Sequence, residues 1–140
     1  MSDVIKLHYD VDGENFTSAG EASVNVKKQL RQMGFPPEVI RRVSIAMYEG
    51  EINMVIHAGG GYADVNVSSD RIEIILKDHG PGIKDVALAM KEGYSTAPDH
   101  IRSLGFGAGM GLPNMKRYSD EMDIQSTVGV GTTVTMVIIP

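Results

Sequence analysis

"EVIRRVSIAMYEGEINMVIHA", residues 38 to 58, is apolar on most sides of a helix and still carries polar residues inside its apolar run. A helix with that pattern belongs packed under a sheet, where it is covered on several sides. Pro36 and Pro37 precede it, and proline's fixed φ and missing N–H suit the start of a helix. Upstream, Ile5, Leu7, Tyr9 and Val11 alternate with polar residues at the period of a half-buried strand. Ser18 with Glu21 fits a capping box, after which Ala22, Val26, Leu30 and Met33 recur at helical spacing until Gly34. Downstream, "YADVNVS" and "RIEIILKD" read as two alternating strands joined by the polar turn Ser68-Ser69-Asp70. Residues 84 to 92 read as a short helix, 93 to 111 as a long loop and 112 to 121 as a helix. "MDIQST" and "TTVTMVII" form a second hairpin, turning at Gly129 to Gly131. Strands and helices segregate here, which argues for an α+β protein. It is expected to be a two-layer α/β sandwich, a mixed and mostly antiparallel sheet with helices on one face.

A chain of 140 residues is about one domain's worth and buries roughly two-thirds of its unfolded surface, so residues 1–140 are read as a single domain. The formal net charge of −5 offers no broad attraction to nucleic acid or to an anionic membrane. With no cysteine, disulfides, thiolate zinc sites and thiol nucleophiles are excluded. The opening MSDVIKLHYD lacks the basic and apolar regions of a signal peptide, and no apolar run approaches the ~20 residues that span a bilayer. A cytoplasmic location is expected.

Four constellations carry the chemistry. In "RSLGFGAGMGLPN", residues 102 to 114, glycines fall at every second position from Gly105 to Gly111. The dinucleotide pattern is not matched there at any register, and the chain has no Gly-Lys pair for a P-loop. A loop of nearly twenty residues inside a compact domain is usually functional, which favours a lid over a ligand. Glu49, Asn53 and His57 follow at i, i+4 and i+8, along one side of the long helix and flanked by Ile45, Ile52 and Ile56. A carboxylate among isoleucines is pushed toward the behaviour of a proton acceptor, and an Asn carbonyl beside it can join phosphate oxygens around Mg²⁺. "DHGPGI", Asp78 to Ile83, follows a strand. Gly80 and Gly82 there allow close backbone approach to a flat ligand, and Asp78 can accept from an exocyclic amine such as adenine's. "VGVGTT" places Thr132 after a tight glycine turn. Taken singly, the last three each have a plain structural account: a polar helix stripe, a strand-ending turn, a hairpin turn.

Together and in this order, the four pieces resemble the GHKL ATPases, the superfamily of gyrase, the ninety-kilodalton heat-shock chaperones, histidine kinases and mismatch-repair ATPases. "EGEIN" looks like their N box, "DHGPG" like the first glycine box, "GFGAGMGL" like the second and "GTT" like the third. Within that superfamily the chain most resembles the small serine/threonine kinases that act as anti-sigma factors or partner-switching regulators, through "IAMYEGEINMVIHA" and "GLPNMKRYSDEMDIQSTVGVGTTV".

The resemblance implies the Bergerat ATP-binding fold, with ATP and Mg²⁺ as cofactors. It further implies Glu49 as general base, Asn53 as Mg²⁺ ligand, Asp78 as adenine reader and Thr132 as a second, water-mediated adenine contact. Gly80, Gly82, Gly105, Gly107, Gly109 and Gly111, with Leu112, wrap the nucleotide, and His57 and Arg102 face the phosphates. An antagonist protein substrate, a sigma factor and a homodimer are the implied partners. The chain departs from the common pattern at His79, where an acidic or amide residue is more usual, and in a longer second glycine box, which unsettles the alignment of Arg102. Two alternatives stay open: an isolated histidine-kinase-like catalytic domain, and an ATP-binding regulatory module that transfers no phosphoryl group.

Overall fold

The computed structural model describes residues 4–13, 20–83, 85–86, 90 and 111–140. Their elements run β1 (Ile5–Asp12), α1 (Glu21–Gln32), α2 (Pro37–Ala58), β2 (Gly60–Val67), β3 (Ile72–Lys77), α3 (Gly111–Tyr118), β4 (Glu121–Thr127) and β5 (Gly131–Ile138). The expected helix at 84–92 lies mostly outside the described residues, as does the loop from 93 onward. Met90 N–H donates to the Val86 carbonyl at 3.0 Å, the i to i−4 bond of a helical turn.

The strands form one sheet in the order β1-β2-β3-β5-β4. The expectation of a mixed sheet is corrected, because all four ladders are antiparallel. β4 has the same direction as β3, but its hairpin return inserts β5 between the two, so no parallel pair forms among the described residues.

Alternation decides which face is buried. Val65 pairs with Ile74, and Ile74 with Met136; Ala63 pairs with Leu76, and Leu76 with Val134. All of these are buried, and their neighbours along each strand are half-buried except Val137, which is buried beside Met136 near the end of β5. This stripe meets Val26 and Leu30 of α1, Val43 and Met47 of α2 and Met115 of α3 in one core. The result is the two-layer arrangement read from the sequence.

α2 lies centrally and close to the sheet. A Cβ at Gly50 would come within 2.1 Å of Leu76 Cδ1 on β3 and 3.1 Å of Met115 Cε on α3. The glycine between the two glutamates of "EGEIN" is therefore a packing requirement. Gly59, with φ 71, ends the helix in the left-handed conformation that lets the chain turn directly into β2.

The start of α1 departs from the capping box. Its N-cap is Gly20, which has no side chain to cap with, and Ser18 lies outside the described residues. The free amides are satisfied instead from α2. Glu51, 2% exposed, accepts from Gly20 N (2.8 Å) and Ala22 N (3.2 Å) on Oε2 and from Ser23 N (2.9 Å) on Oε1. A buried carboxylate among the first-turn N–H groups takes the place of the N-cap side chain and favours the positive end of the helix dipole.

Candidate functional site

Glu49, Asn53 and His57 fall on one side of α2 and are half-buried. Of the flanking isoleucines, Ile52 is buried, while Ile45 and Ile56 are half-buried. Burial holds the His57 imidazole below its ordinary range, so the ring is neutral near pH 7.

α3 runs antiparallel against this side of α2. Gly111 opens the helix on top of Asn53: a Cβ there would lie 2.7 Å from Asn53 Nδ2 and 2.9 Å from Oδ1. The last glycine of the glycine-rich stretch is thus the one whose missing side chain lets the helix N-terminus sit on the amide. Asn53 Nδ2 also donates to Met115 Sδ at 3.9 Å, and among the described residues its carbonyl oxygen accepts no hydrogen bond. One turn into α3, Asn114 Nδ2 donates to Glu49 Oε1 at 3.4 Å. Sequence reasoning missed Asn114. The only signal was its spacing of three from Gly111, which puts both on one helix face.

The other half of the site is a knot between the loop after β3 and the β4–β5 hairpin. Asp78 N–H donates to the Thr132 carbonyl at 3.0 Å, and Thr132 N–H donates back to Asp78 Oδ1 at 3.1 Å. Gly80 N–H donates to the same Oδ1 at 3.0 Å. Both of these donors use one oxygen, so among the described residues Oδ2 keeps its lone pairs for an outside donor. Thr132 is 8% exposed, and its hydroxyl shares a 2.8 Å hydrogen bond with Ser126 Oγ. Ser126 Oγ also accepts from Ile83 N at 2.7 Å. Ser126 was the second residue missed. The expected turn at Gly129 to Gly131 does place it opposite Thr132, the pairing the ladder has.

The close approaches expected of Gly80 and Gly82 are made here to the protein itself. A Cβ on Gly80 would meet Ala58 Cβ at 2.6 Å, and one on Gly82, with φ 79, would meet the Thr127 carbonyl oxygen at 2.5 Å. His79 is exposed. Leu112 is half-buried and packs on the core. Arg102, Gly105, Gly107 and Gly109 lie outside the described residues.

The donor set fits a nucleotide with Mg²⁺ better than a metal alone. Among the described residues no group of three or more His, Asp or Glu could hold a metal. One amide oxygen beside a helix N-terminus suits an ion that takes most of its ligands from phosphate and water. The Asp78 carboxylate suits the exocyclic amine of adenine. No helix among the described residues is long and apolar enough to cross a membrane.

Residues 15–138 match the histidine kinase-like ATPase domain family. Over 124 residues the chain is 33% identical to the serine/threonine-protein kinase RsbT of Bacillus subtilis, covering 86% of this chain and 85% of that one. Over 121 residues it is 34% identical to an anti-sigma F factor of Clostridium novyi, covering 82% and 81%. The fold is similar to that of a Mycobacterium tuberculosis protein solved with its RsbU and RsbW domains. The TM-score is 0.66 at 17% identity, over 96% of this chain and 32% of that one.

Proposed function

The chain belongs to the histidine kinase-like ATPase family, and from that premise we propose that it is an ATP-dependent serine/threonine protein kinase of the GHKL type. It acts as an anti-sigma factor or partner-switching regulator that phosphorylates an antagonist protein, as a single ATP-binding unit over residues 1–140. The observation that carries the reading is the seating of α3 on α2, with Gly111 against Asn53 and Asn114 against Glu49. A proton acceptor and a metal-binding amide thereby share one end of the glycine-rich stretch. The relatives' names, a serine/threonine-protein kinase and an anti-sigma F factor, support a protein substrate and a sigma factor as the class of partner.

In this reading Asp78 and Thr132 hold the adenine, and the Asn53 carbonyl oxygen holds Mg²⁺. The backbone at Gly111 and Leu112, at the N-terminus of α3, meets phosphate oxygens. Bound Mg-ATP supplies the transferable γ-phosphoryl group. The partner's Ser or Thr hydroxyl gives up its proton as its oxygen bonds to phosphorus, with ADP leaving. Glu49 takes that proton on Oε2, since Oε1 already accepts from Asn114.

Two measurements test this. Calorimetric titration should find Mg-ATP and Mg-ADP bound and GTP weaker by about tenfold or more, because guanine presents a carbonyl to the Asp78 carboxylate. Equal affinities remove Asp78 as the adenine reader. Labelled ATP should transfer phosphate to a candidate antagonist. Partner binding that requires ATP without any transfer replaces the kinase reading with that of a regulatory module.

A further inference from the structure

We propose that Asn114 is a positioning residue that holds the Glu49 carboxylate in the orientation needed to accept a proton. The inference rests on the reading of Glu49 as the base, and it assigns a role to a side chain outside the nucleotide boxes.

Helical spacing puts Gly111, Asn114, Met115 and Tyr118 along one face of α3. That face meets α2 in descending order: Gly111 on Asn53, Met115 on Gly50 and Asn53, Asn114 on Glu49, and Tyr118 under Arg41, whose guanidinium lies 5.5 Å from the ring centre. Met115 is 1% exposed and wedged between the helices, which opposes rotation of α3 about its axis. Just beyond the helix, Asp120 accepts from Arg42 of α2 and from Ile139 N, both at 2.6 Å. With α3 pinned at its middle and far end, the Asn114 amide is presented to Glu49 at a fixed place.

The chemistry of that amide suits the task. Lys or Arg at the same point would stabilise the carboxylate as an ion and weaken it as a base, and a carboxylate would repel it. A neutral donor orients one oxygen and leaves the other basic. At 3.4 Å the contact is long, so it steers Glu49 without strongly stabilising its charge. Asn114 also lies one turn after Gly111, so whatever sets the start of α3 sets the position of the amide.

The test compares Asn114→Ala with the isosteric Asn114→Asp in single-turnover phosphoryl transfer, beside ATP titrations. Asn114→Ala should slow transfer about tenfold with ATP affinity nearly unchanged, because losing the steering contact misplaces the base without removing a strong hydrogen bond. Asn114→Asp keeps the shape but sets an acceptor against an acceptor, and should be slower still. If the side chain merely filled space, Asp would outperform Ala; that order, or wild-type rates for both, overturns the proposal. A readout independent of transfer is the unfolding of Asn114→Ala, Glu49→Ala and the double variant. Coupling predicts that the double variant loses less than the sum of the singles, and strict additivity overturns the contact. A wild type that transfers nothing removes the kinase reading, and the unfolding cycle then decides the Asn114–Glu49 contact on its own.

Discussion

Glu49 and Glu51 stand two residues apart on α2, roughly 200° around the helix, and face different parts of the protein. On the α1 side, Glu51 is buried and both its oxygens are taken by backbone N–H groups at 2.8–3.2 Å. On the α3 side, Glu49 is half-buried, and among the described residues it takes one long bond, from Asn114. A carboxylate saturated with donors is committed to structure, because moving it would strand three buried amides. A carboxylate with a free oxygen can exchange a proton. In the proposed function one helix therefore divides the labour: its α1 side fastens the fold, and its α3 side carries the chemistry.

The strongest challenge to that division is Glu49→Gln. It keeps the size and most of the hydrogen bonding but removes the basic charge. Phosphoryl transfer should fall about 10²- to 10⁴-fold, with ATP affinity and melting temperature little changed. Transfer at the wild-type rate would leave the α3 side without its base. The mirror experiment is Glu51→Ala, which leaves three first-turn amides without an acceptor. Stability should drop by roughly 3 kcal/mol, lowering the melting temperature on the order of 10 °C. Transfer per folded molecule should survive. Glu51→Gln, which keeps one acceptor oxygen, should fall between Ala and wild type. A Glu51→Ala protein that melts normally but transfers nothing would reverse the two assignments.

Gly50, between the two glutamates, gives a smaller effect in a third direction. A methyl group there would press on Leu76 Cδ1 at 2.1 Å and Met115 Cε at 3.1 Å, so α2 must lift from the sheet or the neighbours must repack. Gly50→Ala should cost about 1–3 kcal/mol in denaturant unfolding, and a neutral result would show that the interface yields.

These residues also mark where the sequence was readable. Strand alternation and the long apolar helix placed β1 to β5, α1 and α2 within a residue or two, because burial on one face imposes a period that composition alone reveals. α3 was expected to run to 121 and stops at Tyr118, since Asp120 turns away to bind Arg42 and Ile139 N. Glu49, Asn53, Asp78 and Thr132 could be proposed as site residues from ordered boxes with fixed spacing. Glu51, Asn114 and Ser126 were not. Each acts through a partner from another element, and a tertiary contact leaves no local period. The capping box at Ser18 and Glu21 was a sound local inference that a long-range carboxylate pre-empted.

The smallest effect concerns pH and contrasts the two ends of the chain's histidine set. Burial lowers His57 below its ordinary 6.5, so the unfolded chain takes up a proton near 6.5 that the folded protein resists. The unfolded state then binds more protons in that window, and stability must fall as pH is lowered from 6.5 toward the depressed folded value. His8 has the opposite sign. It donates from Nδ1 to Asp64 Oδ1 across a 2.5 Å contact and lies near Asp10, and the Asp64 hydrogen bond raises it above 6.5. Its contribution is complete below 6.5 and is lost as pH rises through the raised value. His8 is exposed, so solvent and salt screen most of it. Asp120 is lowered chiefly by the Ile139 N–H, with Arg42 adding to it; it starts from 3.8 and titrates outside this window. Stability measured from pH 5 to 8 should therefore fall on the acid side in a way that salt barely alters, with at most a slight, salt-sensitive decline on the alkaline side. His57→Gln should flatten the acid side alone. If it leaves the acid limb intact while His8→Gln removes it, His57 on α2 is not what makes the fold acid-sensitive.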